Sequence, residues 1–240
     1  MKYQYILFDL DDTLVRSVDY QIYLIRESMR LLTGTPVSDA FIHAYRTHIK
    51  HQVRDRLQMC EALLPCHGEE LKKITHQIAA NLTDEQITNL LTVYPGMHDL
   101  LEKLRNAQVK LGIVTGKPQP EAKRVIKLLN LDLYFQTVVT RDHVQKAKPD
   151  PEGILLALRA LGMPVTELSK RDFPSAVFIG DSYDEYLMAQ KLHIDYIAAF
   201  WQWEEDGIGA QKRADWEKRG HTGRYALQTD QLEQYLQLRD

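Results

Sequence analysis

The sequence predicts an α/β protein whose core is a doubly wound parallel sheet, interrupted by an inserted all-helical domain. Three observations lead to this prediction. Short apolar runs that end in polar or acidic residues recur along the chain, amphipathic helical segments lie between them, and one long stretch has helical periodicity without a convincing strand. With 240 residues, 44% of them hydrophobic, the chain can bury a substantial core.

Five apolar runs indicate buried strands. They cover residues 4–9, 110–115, 137–140, 176–180 and 195–200. Helices are predicted at residues 97–107, 152–161, 184–192 and 230–238. Strands that alternate with helices of this length form parallel sheets through right-handed crossovers, and such sheets place their active site at the carboxyl ends of the strands.

The stretch from about residue 19 to 91 breaks this alternation. Its periodicity predicts helices at residues 20–32, 38–51, 53–63, 69–81 and 84–91. We therefore divide the chain into a core of residues 1–16 and 92–240 and a helical domain of residues 17–91. Residues 201–224 are polar and punctuated by glycine, which favours a loop-rich excursion. Within it, Trp201 and Trp203 either border the site entrance or pack in the core.

The overall charge argues against a polyanionic partner. The chain has 30 basic and 33 acidic residues and a formal net charge of -3, so neither nucleic acid nor an anionic membrane is an expected partner. Cys60 and Cys66 are the two cysteines, at a spacing that favours reduced thiols. Because the N-terminus lacks a signal-peptide core and no stretch resembles a membrane span, we expect a cytoplasmic protein.

The first group of candidate functional residues follows the first predicted strand. Asp9, Asp11 and Asp12 place three carboxylates within four residues. Two carboxylates at a strand end can point into one crevice, where a divalent cation would offset their repulsion. For an isolated motif of this kind, a solvated acidic turn would be the better interpretation.

Two further groups follow later strands. Thr115 and Gly116 offer a hydroxyl and a backbone N–H suited to phosphate oxygens. Lys148 lies in a segment stiffened by Pro149 and Pro151, so it can direct a positive charge at a fixed point. Each group alone is a weak signal, since such turns are common on protein surfaces.

The fourth group follows the strand at residues 176–180. Asp181 is a candidate third metal ligand, and Glu185 is a candidate partner for Lys148. Asp184 and Glu185 are also explained as acidic residues at a helix N-terminus, where the helix dipole favours them. Which of these two acids belongs to the site stays open.

All four groups fall at strand ends, in one order along the chain, and this combination resembles the haloacid dehalogenase superfamily. The superfamily has an Asp-x-Asp-x-Thr box, a Thr or Ser that ends a strand, a lysine, and a Gly-Asp box with further acids. The resemblance covers residues 1–16 and about 92–200. The insertion between the first two motifs is similar to the helical cap of the branch that includes phosphoglycolate phosphatases.

The resemblance implies a Mg²⁺-dependent phosphatase. Asp9 would be the covalent nucleophile, forming an aspartyl phosphate, and Asp11 would protonate the leaving oxygen and later deprotonate water. Asp11 must be protonated for the first step, so we expect its carboxylate neighbours to raise its pKa. The side chains of Asp9 and Asp181 and the backbone carbonyl of Asp11 would hold Mg²⁺.

The resemblance also assigns the phosphate contacts. Thr115 and Lys148 would hold the phosphoryl oxygens through their side chains, and Asp12 and Gly116 would do so through backbone N–H groups. Gly116 stands where relatives often have asparagine, which removes a side-chain contact and leaves the backbone contact.

The expected substrate is a small phosphorylated metabolite, such as a phosphoglycolate-like acid, a sugar phosphate or a nucleoside monophosphate. A phosphomutase on the same core and a non-catalytic module that binds a phosphorylated ligand remain alternatives. A dehalogenase is disfavoured because a halide leaves without a proton and has no need for Asp11. The cap should close over the site; its basic face of Arg46, Lys50 and Arg54 is better explained as solvated surface. The sequence does not indicate the oligomeric state.

Overall fold

The structure is a computed structural model that describes residues 2–42, 68–163, 173 and 175–238. The chain divides into two compact units, one formed by Met1–Arg16 and Val93–Asp240 and the other by Ser17–Thr92. Several sequence-based expectations lie outside the described residues. These are the helix at residues 53–63, most of the helix at 38–51, the basic face of Arg46, Lys50 and Arg54, and the two cysteines.

Strands and helices alternate along most of the described chain. In chain order they are β1 (Tyr5–Phe8), β2 (Val15–Arg16), α1 (Val18–Thr33), α2 (Gly68–Asn81), α3 (Asp84–Leu90), β3 (Thr92–Val93), α4 (Met97–Asn106), β4 (Lys110–Val114), α5 (Gln119–Leu128), β5 (Thr137–Val139), α6 (Glu152–Ala160), β6 (Ala176–Gly180), α7 (Tyr183–Lys191), β7 (Asp195–Ala199), α8 (Trp201–Glu205), α9 (Gly209–Lys218), β8 (Arg224–Ala226) and α10 (Gln231–Leu236). Short 3₁₀ turns lie at Leu131–Leu133 and Arg141–His143. Within the described part of the chain, no helix combines the length and apolar character needed to span a bilayer.

The first unit is built on a six-stranded sheet in the order β5-β4-β1-β6-β7-β8, and every adjacent pair is parallel. The predicted α/β class with a parallel sheet is therefore confirmed. The order reverses at β1, which lies between β4 and β6. Phe8 pairs with both Ile113 and Ile179, so the three central strands end at the same level. This edge is the switch point at which open α/β sheets bind their ligands.

The central strands are continuous apolar runs because both faces of the sheet are covered. Ile6, Leu7 and Phe8 are fully buried, and all five residues of β6 are buried. The chain becomes polar where these strands end. A carboxylate that follows such a strand therefore leaves a dry sheet and enters the crevice at its edge.

Apart from Thr92, which begins β3, the regular structure of the second unit is helical in its described residues. Its helices α1, α2 and α3 agree with the predictions at residues 20–32, 69–81 and 84–91. An apolar cluster that includes Val18, Ile25 and Leu71 joins α1 to α2. The buried hydroxyls of Ser28 and Thr75 form a hydrogen bond of 2.9 Å between the same two helices.

The prediction of a loop-rich excursion at residues 201–224 is wrong. The segment forms α8, α9 and the start of β8, and it buries Trp201, Trp203 and Trp216. The polar residues of α9 lie on its exposed face, so they indicate solvent exposure and not a loop. Gly207 and Gly220 have positive φ angles, as residues that follow helices often do.

Besides α8 and α9, the strands β2, β3 and β8 and the helix α5 were not predicted. β2 and β3 pair with each other, but each has two residues, which is too short to show a hydrophobic period. The helix α5 begins after Pro118 and buries Ala122, Val125 and Ile126. The apolar residues of α5 have helical spacing, so this helix could have been predicted from the sequence.

His221 is enclosed by aromatic rings next to β8. Its ring centroid lies 4.5 Å from that of Tyr186, 5.4 Å from that of Trp216 and 4.5 Å from that of Tyr225. Neither ring nitrogen has a hydrogen-bond partner among the described residues. Burial lowers the pKa of His221 to about 4, because the charged imidazolium would lose its hydration.

We predict that His221 makes the fold sensitive to mild acid. The unfolded chain binds a proton at this residue near pH 6.5, whereas the folded chain resists protonation down to about pH 4. The His221 contribution to stability is therefore complete above pH 6.5 and decreases as the pH falls, by up to about 1.4 kcal/mol per pH unit. Urea unfolding of wild type and His221→Phe across this range should show a shallower slope for the variant.

The exposed residue His98 supplies the control for this experiment. His98→Phe should keep the wild-type dependence of unfolding free energy on pH. Identical slopes for all three proteins would contradict the assignment of the acid sensitivity to His221.

Candidate active site

Asp9 follows β1 and is buried, with its side chain only 8% exposed. Its backbone N–H donates to the carbonyl of Ile179 at 2.9 Å, which continues the pairing of β1 with β6 beyond the strand. Lys148 Nζ donates to Asp9 Oδ1 at 2.6 Å. The carboxylate is thus fixed at the end of the central strand by backbone on one side and a charged donor on the other.

Lys148 also donates to Glu185 Oε1 at 2.5 Å, which is the pair expected from the sequence. Glu185 is buried in the first turn of α7, and its other oxygen accepts from the N–H of Ser182 at 3.2 Å. A Cβ at Gly180 would overlap this oxygen. A side chain at this position would have to displace the Glu185 carboxylate, which lies directly against the backbone of Gly180.

Burial and the charges of these contacts together shift the pKa values of Asp9 and Lys148. Burial raises the pKa of Asp9 to about 7; Lys148 opposes this shift and Glu185 adds to it. Burial acts to lower the pKa of Lys148, but the carboxylates of Asp9 and Glu185 outweigh it and raise that pKa above its ordinary value. Lys148 therefore stays charged and serves both acids as counter-charge.

Three acids at the strand ends could hold a cation together. Oxygens of Asp9, Asp181 and Glu185 all lie within 4.8 Å of one another. Carboxylate oxygens are the ligands that hard divalent cations such as Mg²⁺ prefer, so the donor set fits such an ion. Asp184 is not a member of this group, so the geometry favours Glu185 over Asp184 as the acid of the site. The role of the Asp11 carbonyl as a ligand stays a prediction.

Asp11 contacts Lys117, a residue to which no role was assigned from the sequence. Lys117 Nζ lies 3.1 Å from Asp11 Oδ2 and 3.2 Å from Glu121 Oε1, and the lysine side chain is 5% exposed. Asp11 Oδ1 is buried and has no hydrogen-bond partner among the described residues. The available signal was the position of Lys117, two residues after Thr115 in the same strand-end turn.

The pKa of Asp11 is raised, in the direction that the sequence predicted. Burial is the largest cause; Lys117 lowers this pKa, and Asp9 and Asp12 raise it. The dominant effect is therefore loss of hydration, with the neighbouring carboxylates contributing less. The result is a carboxyl group with increased affinity for a proton.

A tight turn after β1 sets the position of these acids. Asp12 has a left-handed φ of 58°, and its N–H donates to the carbonyl of Val15 at 2.6 Å. The hydroxyl of Thr13 is buried and has no partner in the described part of the chain. The Asp12 N–H that was expected to hold phosphate is thus engaged within the turn, and it would have to share or break this bond to reach a ligand.

The turn after β4 presents the remaining candidates. Thr115 Oγ1 accepts from the N–H of Lys117 at 3.1 Å, which leaves its own proton available for a ligand. At Gly116, no heavy atom other than those of the residue and its two chain neighbours lies within 4 Å of where a Cβ would stand, so that side of the residue is open. Both positions are compatible with binding an anion.

Comparisons with known proteins identify the family of the chain. A family model described as haloacid dehalogenase-like hydrolase matches residues 6–199. Pyrophosphatase PpaX of Bacillus velezensis is 30% identical over 193 residues, which cover 76% of each chain. Pyrophosphatase PpaX of Oceanobacillus iheyensis is 25% identical over 212 residues, which cover 84% of this chain and 85% of the relative.

A solved structure with a similar fold comes from Lactobacillus plantarum, and that protein is provisionally assigned as a phosphoglycolate phosphatase. It superposes with a TM-score of 0.70 at 24% identity and covers 97% of this chain and 99% of its own.

We predict that Lys148→Met destabilises the metal-free protein at alkaline pH. The folded-state pKa of Asp9 lies above its unfolded value, so stability falls as the pH rises towards about 7. Without Lys148 this fall should be larger and continue to higher pH. We expect a loss of roughly 2 kcal/mol at pH 8, below the range for fully buried pairs, and a smaller loss at pH 5. Urea unfolding in the presence of a chelator measures both values.

Lys146 is the matched control, since its exposed side chain lies two residues away and 4.0 Å from Asp150. Lys146→Met should unfold like the wild type at both pH values. An equal loss in the two variants at pH 8 would contradict the role of Lys148 as counter-charge.

Proposed function

The chain is an enzyme of the haloacid dehalogenase-like hydrolase family, and we propose that it is a Mg²⁺-dependent phosphatase acting on a small phosphorylated metabolite. One observation carries this proposal. The buried carboxylate of Asp9 is held by Lys148 within a group of acids that fits a divalent cation. A nucleophile, a counter-charge and a cation site at one strand end are the requirements of phosphoryl transfer to a carboxylate.

In the first step, an Asp9 oxygen attacks the phosphorus and the bond to the leaving oxygen breaks. Asp11 donates its proton to that oxygen, so the product leaves as a neutral alcohol. The raised pKa of Asp11 supports this role, because burial favours the protonated form. Asp9 is then phosphorylated, and the aspartyl phosphate is an acyl phosphate.

In the second step, water attacks the phosphorus of the aspartyl phosphate. Asp11, now ionised, accepts a proton from the water, and the bond between Asp9 and phosphorus breaks. Phosphate is released, Asp9 regains its carboxylate and Asp11 regains its proton. One carboxyl group thus serves as acid and base in turn.

The remaining site residues hold charges in place. Asp9 and Asp181, with the Asp11 carbonyl, would hold Mg²⁺, which supplies positive charge between an anionic nucleophile and an anionic substrate. Lys148, Thr115 and Gly116 would hold the phosphoryl oxygens. Glu185 accepts the Lys148 hydrogen bond, so we assign it to orienting that lysine.

Pyrophosphate hydrolysis is the second candidate, favoured by the PpaX relatives. A phosphoglycolate-like acid is favoured by the structure from Lactobacillus plantarum. Both substrates place a second negative group beside the scissile bond, so the same phosphate site could serve either. Selection by the helical unit and a cytoplasmic location stay predictions.

We predict that purified protein releases phosphate from members of a substrate panel only with Mg²⁺ present, and that Asp9→Asn abolishes this release. The panel contains p-nitrophenyl phosphate, phosphoglycolate, sugar phosphates, nucleoside monophosphates and inorganic pyrophosphate. The amide keeps the shape of Asp9 but cannot attack phosphorus, so the rate should fall by at least about a thousandfold.

Two further variants show which acid of α7 belongs to the site. Glu185→Gln should reduce the rate strongly, whereas Asp184→Asn should have little effect. Phosphate release that persists in Asp9→Asn would refute Asp9 as the nucleophile, and absence of release from every substrate would favour the binding-module alternative. Conversion of a sugar phosphate into its isomer without release would favour the phosphomutase.

We predict a burst for Asp11→Asn with p-nitrophenyl phosphate. Nitrophenolate leaves without a proton, so the first step should proceed, but the aspartyl phosphate then lacks a base to activate water. Rapid mixing should release about one equivalent of nitrophenolate per site, followed by turnover about a hundredfold or more slower than wild type. An alkyl phosphate should give no burst. If Asp11→Asn turned over both substrates steadily at the wild-type rate, Asp11 would be excluded as acid and base.

A further inference from the structure

Two aromatic side chains place hydrogen-bond donors against three consecutive carbonyls at the end of β6. The single hydroxyl proton of Tyr196 is shared by two of them, since Tyr196 Oη lies 2.7 Å from the carbonyl oxygen of Gly180 and 3.0 Å from that of Ser182. Trp203 Nε1 donates to the carbonyl of Asp181 at 3.2 Å. Residues 180–182, which we call the acid loop, are therefore held from both ends and from the middle.

We propose that Tyr196 and Trp203 are positioning residues that hold the acid loop and thereby fix the Asp181 carboxylate beside Asp9 for cation binding. The inference rests on the proposed function, since it assigns Asp181 to the cation. It adds two residues that touch neither the ion nor the substrate.

The Asp181 carbonyl, in the middle of the acid loop, needs a donor from elsewhere in the fold. Beyond Gly180 the chain leaves the ladder with β7, and the carbonyl of Ser182, the N-cap of α7, already accepts from the N–H of Tyr186 at 3.3 Å. Asp181 lies between these two elements, and leaving its carbonyl unpaired in a buried place would cost free energy. Trp203 supplies this donor, and Tyr196 adds a donor at the two flanking carbonyls; both residues are 6% exposed.

The two donors are themselves fixed by packing. The Tyr196 ring stacks on Phe178, with centroids 6.2 Å apart and an interplanar angle of 8°. Trp203 packs against Phe200 at 6.1 Å, and Lys212 Nζ lies 4.9 Å from its ring centroid. Donors with so little freedom transmit their position to the loop, which a flexible side chain would not do.

The position of the acid loop matters because a cation site tolerates small displacements poorly. A carboxylate oxygen of Asp9 and one of Asp181 lie within 4.8 Å of each other. Residues that orient ligands through hydrogen bonds typically change metal affinity by about 10–100-fold when they are mutated. We expect loss of the Tyr196 hydroxyl to act at the lower end of this range, because Trp203 still holds the loop.

The test compares Tyr196→Phe with Tyr225→Phe. The Tyr225 hydroxyl, on the neighbouring strand β8, is buried without a hydrogen-bond partner in the described part of the chain. Isothermal titration calorimetry with MgCl₂ and no substrate gives the dissociation constant for each protein. Tyr196→Phe should bind Mg²⁺ roughly tenfold more weakly, and Tyr225→Phe should bind like the wild type. Thermal denaturation checks that both variants are folded.

A kinetic readout separates positioning from general damage to the fold. In Tyr196→Phe, the Mg²⁺ concentration for half-maximal activity should rise by the same factor, while kcat at saturating Mg²⁺ should stay within about twofold of wild type, because the bound ion restores the loop. Trp203→Phe, which removes the other donor, should shift the same constant in the same direction.

The outcomes distinguish this inference from the proposed function. If the wild type binds Mg²⁺, Asp181→Asn does not, and Tyr196→Phe binds like the wild type, the positioning role is overturned and the proposed function stands. Equal weakening in Tyr196→Phe and Tyr225→Phe would also overturn it, since any buried hydroxyl would then have the effect. If wild type and Asp181→Asn bind Mg²⁺ equally, or neither binds it, the metal assignment fails together with the inference.

Discussion

Lys148 lies between the carboxylates of Asp9 and Glu185, and Lys117 lies against Asp11, so positive and negative groups alternate along the edge of the sheet. Removing hydration from a carboxylate is costly, and these acids lie where little water reaches them. Each lysine offsets that cost through a short contact. The ion pairs also join loops that follow different strands, because Lys148 comes after β5 and Glu185 after β6. The charges therefore fix the relative positions of the loops that form the site.

The parallel sheet makes this concentration of charge possible. Strands buried on both faces carry apolar side chains along their length, and their polar residues appear where they end. Because Phe8, Ile113 and Ile179 lie in register, the residues that follow β1, β4 and β6 emerge at one edge. A slip of one residue in either pairing would move Asp9 away from the groups that follow the neighbouring strands.

The same reasoning explains what the sequence could reveal. Buried strands and the acids at their ends are local patterns, so the sheet and the positions of Asp9 and Asp181 could be read directly. The position of Lys117 after Thr115 indicated a place near the site but not its partner, because the contact with Asp11 depends on two strands lying side by side. The polar helix α9 was mistaken for a loop because exposed helices and loops share a composition. The sequence did distinguish Glu185 from Asp184, because Ser182 and Glu185 have the three-residue spacing of a capping box, which the structure contains.

The C-terminal segment belongs to the core of the first unit. Trp203 and Trp216 share one apolar cluster with Phe178 on β6 and Tyr196 on β7, so α8 and α9 complete the packing on which the last strands depend. This packing reaches the acid loop through the Trp203 indole and the Tyr196 hydroxyl. Hydrophobic burial is not directional, whereas hydrogen bonds to carbonyls are. The aromatic cluster thus stabilises the fold, and the hydrogen bonds from Tyr196 Oη and Trp203 Nε1 hold residues 180–182 in a defined position relative to it.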